Sequence, residues 1–199
     1  MRKLLPYVAR IMSCASVALL LSSCATTSPS SRNMSVYQGP YNPAYTIDDE
    51  MADYAPRMPE QWNTNGKKMI LVNPNVHAWG AYDADGRLVR AGMATAGAAV
   101  CPPDANASDC RTSMGAFHIR SLGAPDCFSR EYPRPHGGGL MPYCMFFHNG
   151  QALHGAPDSI VVNANLSHGC VRMRIPDAEW MRNEFAQVGT KVVVEPYDE

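Results

Sequence analysis

The pattern of apolar and polar positions changes character twice along the chain. Residues 11–21, "IMSCASVALLL", form a short apolar run behind the basic residues Arg2, Lys3 and Arg10. Such a run is too short to span a bilayer and has the length of a signal h-region. From residue 25 to about 65 the chain is rich in Ser, Thr, Pro, Asn and Tyr and shows no sustained apolar period. This stretch reads as a tether, partly ordered near its end. From Lys67 onward, strand-length apolar runs begin. "KKMILVN" and "VHAWGAY" predict two strands, the Asp85–Gly86 pair predicts a hairpin turn, and "RLVRAGMATAG" predicts the returning strand. "GAFHIR" predicts another, and "MPYCMFFHNGQALHG" two more around Asn149–Gly150. "IPDAEWMRNEFAQVG" predicts a helix, with Pro176 in its first turn, Asp177 and Glu179 at the positive end of its dipole and Gly189 at its close. "TKVVVEP" predicts a last strand. Many short strands with one helix before the last of them predict a mainly β domain over residues 66–199.

Composition narrows the function. The formal charge is −1, and without residues 1–23, which carry three positive charges and no negative ones, it is −4. An acidic chain of this kind argues against nucleic acid as a partner. The segment "LSSC", Leu21–Cys24, follows the apolar run and resembles a bacterial lipobox. That resemblance implies a signal peptide over residues 1–23, a lipidated Cys24, and a tether over 24–65. With Ala25 rather than Asp after the cysteine, it implies the periplasmic face of the outer membrane.

Seven cysteines are present. Cys14 lies in the signal and Cys24 is assigned to lipid, which leaves Cys101, Cys110, Cys127, Cys144 and Cys170. An exported chain matures where thiols pair, and five is odd, so at least one stays unpaired within the chain. Cys170 stands in "SHGC". Gly169 permits a sharp turn before the thiol, and such a turn aims successive N–H groups at one point, as an oxyanion hole requires. A nucleophilic cysteine needs a base, and two histidines compete: His168 within the turn, and His154, in "ALHG", on a different element. His148, His154, His168 and Cys170 are all metal-ligand types, but their spacing is not that of a structural zinc site, and no metal or cofactor is expected. "HGGG", His136–Gly139, has no Gly-x-Ser-x-Gly elbow to accompany it and reads as a mobile loop near the site.

The "LHG" around His154 followed by "SHGCVRM" resembles the signature of L,D-transpeptidase catalytic domains of the YkuD type. "RTSMGAFHI" is similar to that family's Thr-Pro-x-Gly-x-Phe strand, with Ser113 where proline is usual. The resemblance runs from about Lys67 to Val194. It implies a mixed β-sandwich and a peptidoglycan stem-peptide substrate. It implies Cys170 as nucleophile, His154 as general base and the Gly155 carbonyl as the group orienting the imidazole. Ser167, His168 and Gly169 would shape the nucleophile loop, with N–H groups near Gly169 and Cys170 serving the oxyanion. Arg172 would bind a substrate carboxylate or buttress the loop. "MPYCMFF" would line the cleft, through Tyr143, Met145 and Phe147. A monomer is expected, with a lipid-anchored wall-binding protein of the same fold as the rival reading.

The remaining four cysteines allow three pairings. "CPPDANASDC" is turn-rich and closes easily, which predicts Cys101–Cys110. Cys127 and Cys144 flank a Gly- and Pro-rich loop expected to cover the cleft, which predicts Cys127–Cys144 and a free Cys170.

Overall fold

The computed structural model describes residues 54–198. Cys24 and the predicted signal and anchor lie outside the described residues. Among the described residues, nine strands form two sheets. The first has the order β3-β2-β1-β9-β4, built from β1 (Met69–Asn73), β2 (Ala78–Tyr82), β3 (Leu88–Met93), β4 (Gly115–His118) and β9 (Lys191–Val194). The second has the order β5-β6-β7-β8, built from β5 (Ser121–Leu122), β6 (Met145–His148), β7 (Gln151–Ala156) and β8 (Val171–Arg174). Parallel and antiparallel pairs mix in both: β1 runs parallel to β9, and β7 parallel to β8. Strands β2 and β3 form the hairpin expected around Asp85–Gly86, and Gly86 takes a positive φ of 85° there.

The main core lies between the sheets. Ile70 and Val72 of β1, Trp79 and Ala81 of β2, Val192 and Val194 of β9 meet Met145, Phe147, Leu153, Val171 and Met173 of the second sheet. Removing each fully buried large apolar side chain of this set from water contributes about 1.5–3 kcal/mol. A second cluster covers the outer face of the first sheet, where Tyr54 and Met58 pack on Met69, Leu71, Tyr82 and Ala91. Both faces of β1 are therefore covered, which is why "MILV" is a continuous apolar run and not an alternating one. Packed chain reaches back to Tyr54, ahead of the boundary expected near residue 66. Its apolar residues sit in a short 3₁₀ turn, Ala55–Arg57, and in irregular chain, so they carry no period to read.

The predicted helix is shorter than its sequence pattern. Helix α1 spans Ile175–Trp180 and continues as one wide π turn, Met181–Phe185, before the chain extends at Ala186. Asp177 does more than face the dipole. It is buried and accepts a hydrogen bond from Arg90 of β3 at 2.6 Å, while the Arg90 guanidinium lies 4.7 Å from the Trp180 ring centre. The pair ties the helix to the first sheet. Strand β8 was not among the predicted strands: "VRMR" continues the nucleophile motif, and its alternation is visible only beside β7.

Candidate active site

The second sheet has two faces. Met145 and Phe147 of β6, Leu153 of β7, and Val171 and Met173 of β8 point into the core. The alternate residues point the other way. Phe146 pairs with Ala152, and His154 pairs with Arg172. Cys170, two residues before Arg172, follows the same parity and packs in a cluster with Ala152, Phe146, Met141, Cys144 and Cys127. One surface thus carries Cys170, His154 and Arg172, with Phe146 and the Cys127–Cys144 bridge beside them. Arg172 is close enough to act on both His154 and Cys170.

His154 is buried, and its Nδ1 lies 2.8 Å from the Gly155 carbonyl. A carbonyl only accepts, so Nδ1 carries the proton and Nε2 of the neutral ring keeps its lone pair. Burial pushes the imidazole down from 6.5 to about 4; the Gly155 carbonyl opposes this, and the Arg172 charge adds to it. Burial likewise pushes the Cys170 thiol up, opposed by a backbone hydrogen bond at Ala152 and by Arg172. The thiol is half-buried, and Sγ lies 3.9 Å from the Gly150 carbonyl, a long contact that holds it lightly. Both groups are therefore neutral at rest near pH 7, and the base takes the proton as the sulfur attacks rather than beforehand.

The loop before β8 is fixed from within. Gly169 takes φ of +119°, open to glycine alone at little cost. The Ser167 hydroxyl accepts the Gly169 N–H at 3.0 Å and donates to the Cys170 carbonyl at 2.5 Å. Ser167 is itself held at both backbone groups, its N–H on the Ala96 carbonyl and its carbonyl on the Ala98 N–H, each at 3.0 Å. The expectation that both the Gly169 and Cys170 amides face an oxyanion is corrected for Gly169, whose N–H is committed to Ser167; the Cys170 N–H is the other loop amide of that expectation. His168 is engaged elsewhere. Its Nε2 lies 2.6 Å from Asp104 Oδ1, so it does not compete with His154 for the base position.

Three expected cleft residues are corrected. Tyr143, Met145 and Phe147 are 3%, 0% and 0% exposed and belong to the core between the sheets. Tyr143 donates its hydroxyl to Glu179 at 2.8 Å, and burial with that carboxylate pushes its phenol up to about 12. The alternate set is the one facing the site, and Phe146 is its half-buried aromatic. Parity alone leaves this choice open; Cys144 closes it, because its bridge to Cys127 lies on the site surface. Arg172 remains half-buried beside the dyad, and burial lowers its own proton affinity.

Both expected bridges are present, with Cα separations of 5.0 Å for Cys101–Cys110 and 6.1 Å for Cys127–Cys144, and Cys170 is free. Gly123 makes room for the second: a Cβ there would lie 2.2 Å from Cys144 Sγ. The "HGGG" segment is knotted on its own loop. Gly137, Gly138 and Gly139 donate their amides to Pro133, Ser129 and Tyr132 at 2.8, 2.8 and 2.9 Å, so the loop offers no oxyanion donors there and is braced by its own backbone.

This two-sheet architecture, with a histidine on β7 and a free cysteine just before the neighbouring parallel strand β8, has known counterparts. The model of the YkuD L,D-transpeptidase catalytic domain family matches residues 67–194, and the chain belongs to that family. No curated protein matches it. Among solved structures it is similar to an L,D-transpeptidase from Xylanimonas cellulosilytica, with 21% identity, a TM-score of 0.58, and 70% of this chain and 66% of that chain covered. An L,D-transpeptidase from Stackebrandtia nassauensis gives 20% identity and a TM-score of 0.56, covering 77% and 68%. L,D-transpeptidase 3 from Mycobacterium tuberculosis, solved with a faropenem-derived adduct, gives 18% and 0.51, covering 65% and 60%. At these identities the likeness is one of fold. The chain spans 60–68% of the length of these three.

Proposed function

We propose that this chain is a cysteine-dependent peptidoglycan L,D-transpeptidase. The observation that carries the reading is the pairing of β7 with β8, which puts His154, its Nδ1 fixed on Gly155, on the same surface as the free Cys170. Cys170 Sγ attacks the carbonyl carbon between the third, L-configured stem residue and D-Ala. His154 Nε2 takes the thiol proton as the C–S bond forms. The Cys170 N–H stabilises the oxyanion. On collapse the C–N bond breaks, His154 returns the proton to the leaving amine, and D-Ala departs, leaving a thioester. An amine of a second stem then attacks the thioester and restores the thiol; water in its place would give hydrolysis.

Arg172 supplies the charge that holds a substrate carboxylate next to the reacting carbonyl, since an arginine fork suits a carboxylate and this one lies on the site surface. Phe146 forms the apolar wall of the cleft. Anchoring of the chain through a lipidated Cys24, at the periplasmic face of the outer membrane, belongs to the same proposal and rests on "LSSC" after the apolar run. An intact mass of native protein without lipid would remove that part alone.

The test is incubation with purified tetrapeptide stems, with and without an amine acceptor, and mass spectrometry of protein and products. A thioester on Cys170 and a cross-linked product are expected, and folded Cys170→Ala gives neither. Turnover by folded Cys170→Ala would overturn the mechanism.

A further inference from the structure

His168 is gripped from two sides by segments far away in sequence. Asp104 Oδ1 lies 2.6 Å from its Nε2, and the Tyr132 ring stacks on its face with centroids 4.2 Å apart and planes 29° from parallel. Asp104 belongs to the loop closed by Cys101–Cys110, and Tyr132 to the loop closed by Cys127–Cys144. Tyr132 is fixed in turn: its N–H donates to Ser129 Oγ at 2.9 Å and its carbonyl accepts the Gly139 N–H. The two loops also meet each other, because the Arg134 backbone acts on the Asp104 carboxylate, which His168 above all holds below the usual carboxylate range.

The need for such a grip follows from the nucleophile loop itself. Ser167 is locked on the Ala96–Ala98 segment, and β8 locks Val171 onward. Between them lie His168, Gly169 and Cys170; the Ser167 hydroxyl ties the Gly169 N–H and the Cys170 carbonyl, which leaves the peptide joining Gly169 to Cys170 to turn, at the residue with the widest backbone freedom. Rotation there swings the Cys170 amide, the remaining oxyanion donor. Holding the His168 ring fixes the residue before Gly169 and so narrows that rotation. We propose that Asp104 and Tyr132 are positioning residues for the transpeptidase reaction, acting through His168 to aim the Cys170 amide, with each disulfide delivering one of them. The proposal rests on the reading of Cys170 as nucleophile.

Two probes of Cys170 in the folded protein separate the possibilities. Faropenem acylates through a tetrahedral oxyanion and needs the amide in place; iodoacetamide alkylates the thiol without one. Asp104→Ala is expected to slow acylation about 10–100-fold, the range for a misaimed oxyanion donor, and alkylation by less than about threefold. Tyr132→Leu, which leaves the carboxylate intact, is expected to give the same split. Asp104→Asn keeps an acceptor oxygen and restores most of the acylation rate. In a His168→Ala background, Asp104→Ala is expected to add nothing, because its route to the amide is already cut. Acylation at the wild-type rate in both Asp104→Ala and Tyr132→Leu overturns the proposal. So does equal slowing of both probes, or a full additive effect on top of His168→Ala. Wild-type protein that iodoacetamide alkylates at Cys170 but faropenem leaves intact overturns the transpeptidase reading, and the positioning role with it.

Discussion

Acidification should destabilise this domain in part through His154. His154 is 6% exposed, and its burial moves the imidazole from 6.5 to about 4. As pH falls through 6.5 the unfolded chain takes up a proton that the folded chain refuses until about 4. Stability contributed by the neutral ring is therefore complete above 6.5, is lost progressively below it, and levels off below 4. At about 1.4 kcal/mol per pH unit, the loss by pH 4 is about 3 kcal/mol. That is a large share of the roughly 5–15 kcal/mol of a typical domain. Urea unfolding at pH 7.5 and pH 4, on wild-type protein and on His154→Gln, isolates the effect. Carboxylates and other histidines titrate equally in both proteins, so the wild type should lose about 3 kcal/mol more than the variant. Parallel losses, within about 1 kcal/mol, would refute the claim that His154 is held neutral by burial. The same property sets catalysis: the acid limb of Cys170 acylation should fall near pH 4 and not near 6.5.

Other outcomes follow from neighbouring contacts. His154→Ala should slow acylation of Cys170 by about 10²–10⁴-fold, the usual worth of a general base, measured as adduct formation with a stem peptide. Gly123→Ala should block the Cys127–Cys144 bridge, because its new Cβ would meet Cys144 Sγ; peptide mapping should find both thiols free, and thermal unfolding should show about 2–4 kcal/mol lost. Asp177→Ala leaves Arg90 buried without its carboxylate and should cost about 3–5 kcal/mol in urea unfolding, whereas an exposed pair such as Arg87–Asp83 should cost under about 1 kcal/mol. Phe147→Ala should cost about 3–5 kcal/mol of stability, while Phe146→Ala on the opposite face should raise KM for stem peptides with a smaller stability loss.

While the choice of His154 over His168 as partner of Cys170 came from the resemblance of "LHG" and "SHGCVRM" to the YkuD signature, the sequence by itself pointed to the β-rich class, most of the strands and both disulfides. These features are local. Apolar runs, turn pairs and a Gly-Cys step act through neighbours a few residues away, and a short turn-rich segment brings its own ends together. The faces of the strands were another matter. "MPYCMFF" alternates apolar residues on both sides, so period two alone is equally consistent with Tyr143, Met145 and Phe147 in the cleft or in the core. Tertiary packing decided for the core, because the first sheet covers that side and the Cys127–Cys144 bridge occupies the other. Strand β8 reads in the sequence as the continuation of the nucleophile motif and becomes a strand only beside β7, while α1 gives way to a π turn before the chain turns back toward β9. Asp104 had no signal at all. It lies 64 residues from His168 in the chain, and only closure of a separate disulfide loop over the nucleophile turn brings the two within hydrogen-bonding distance.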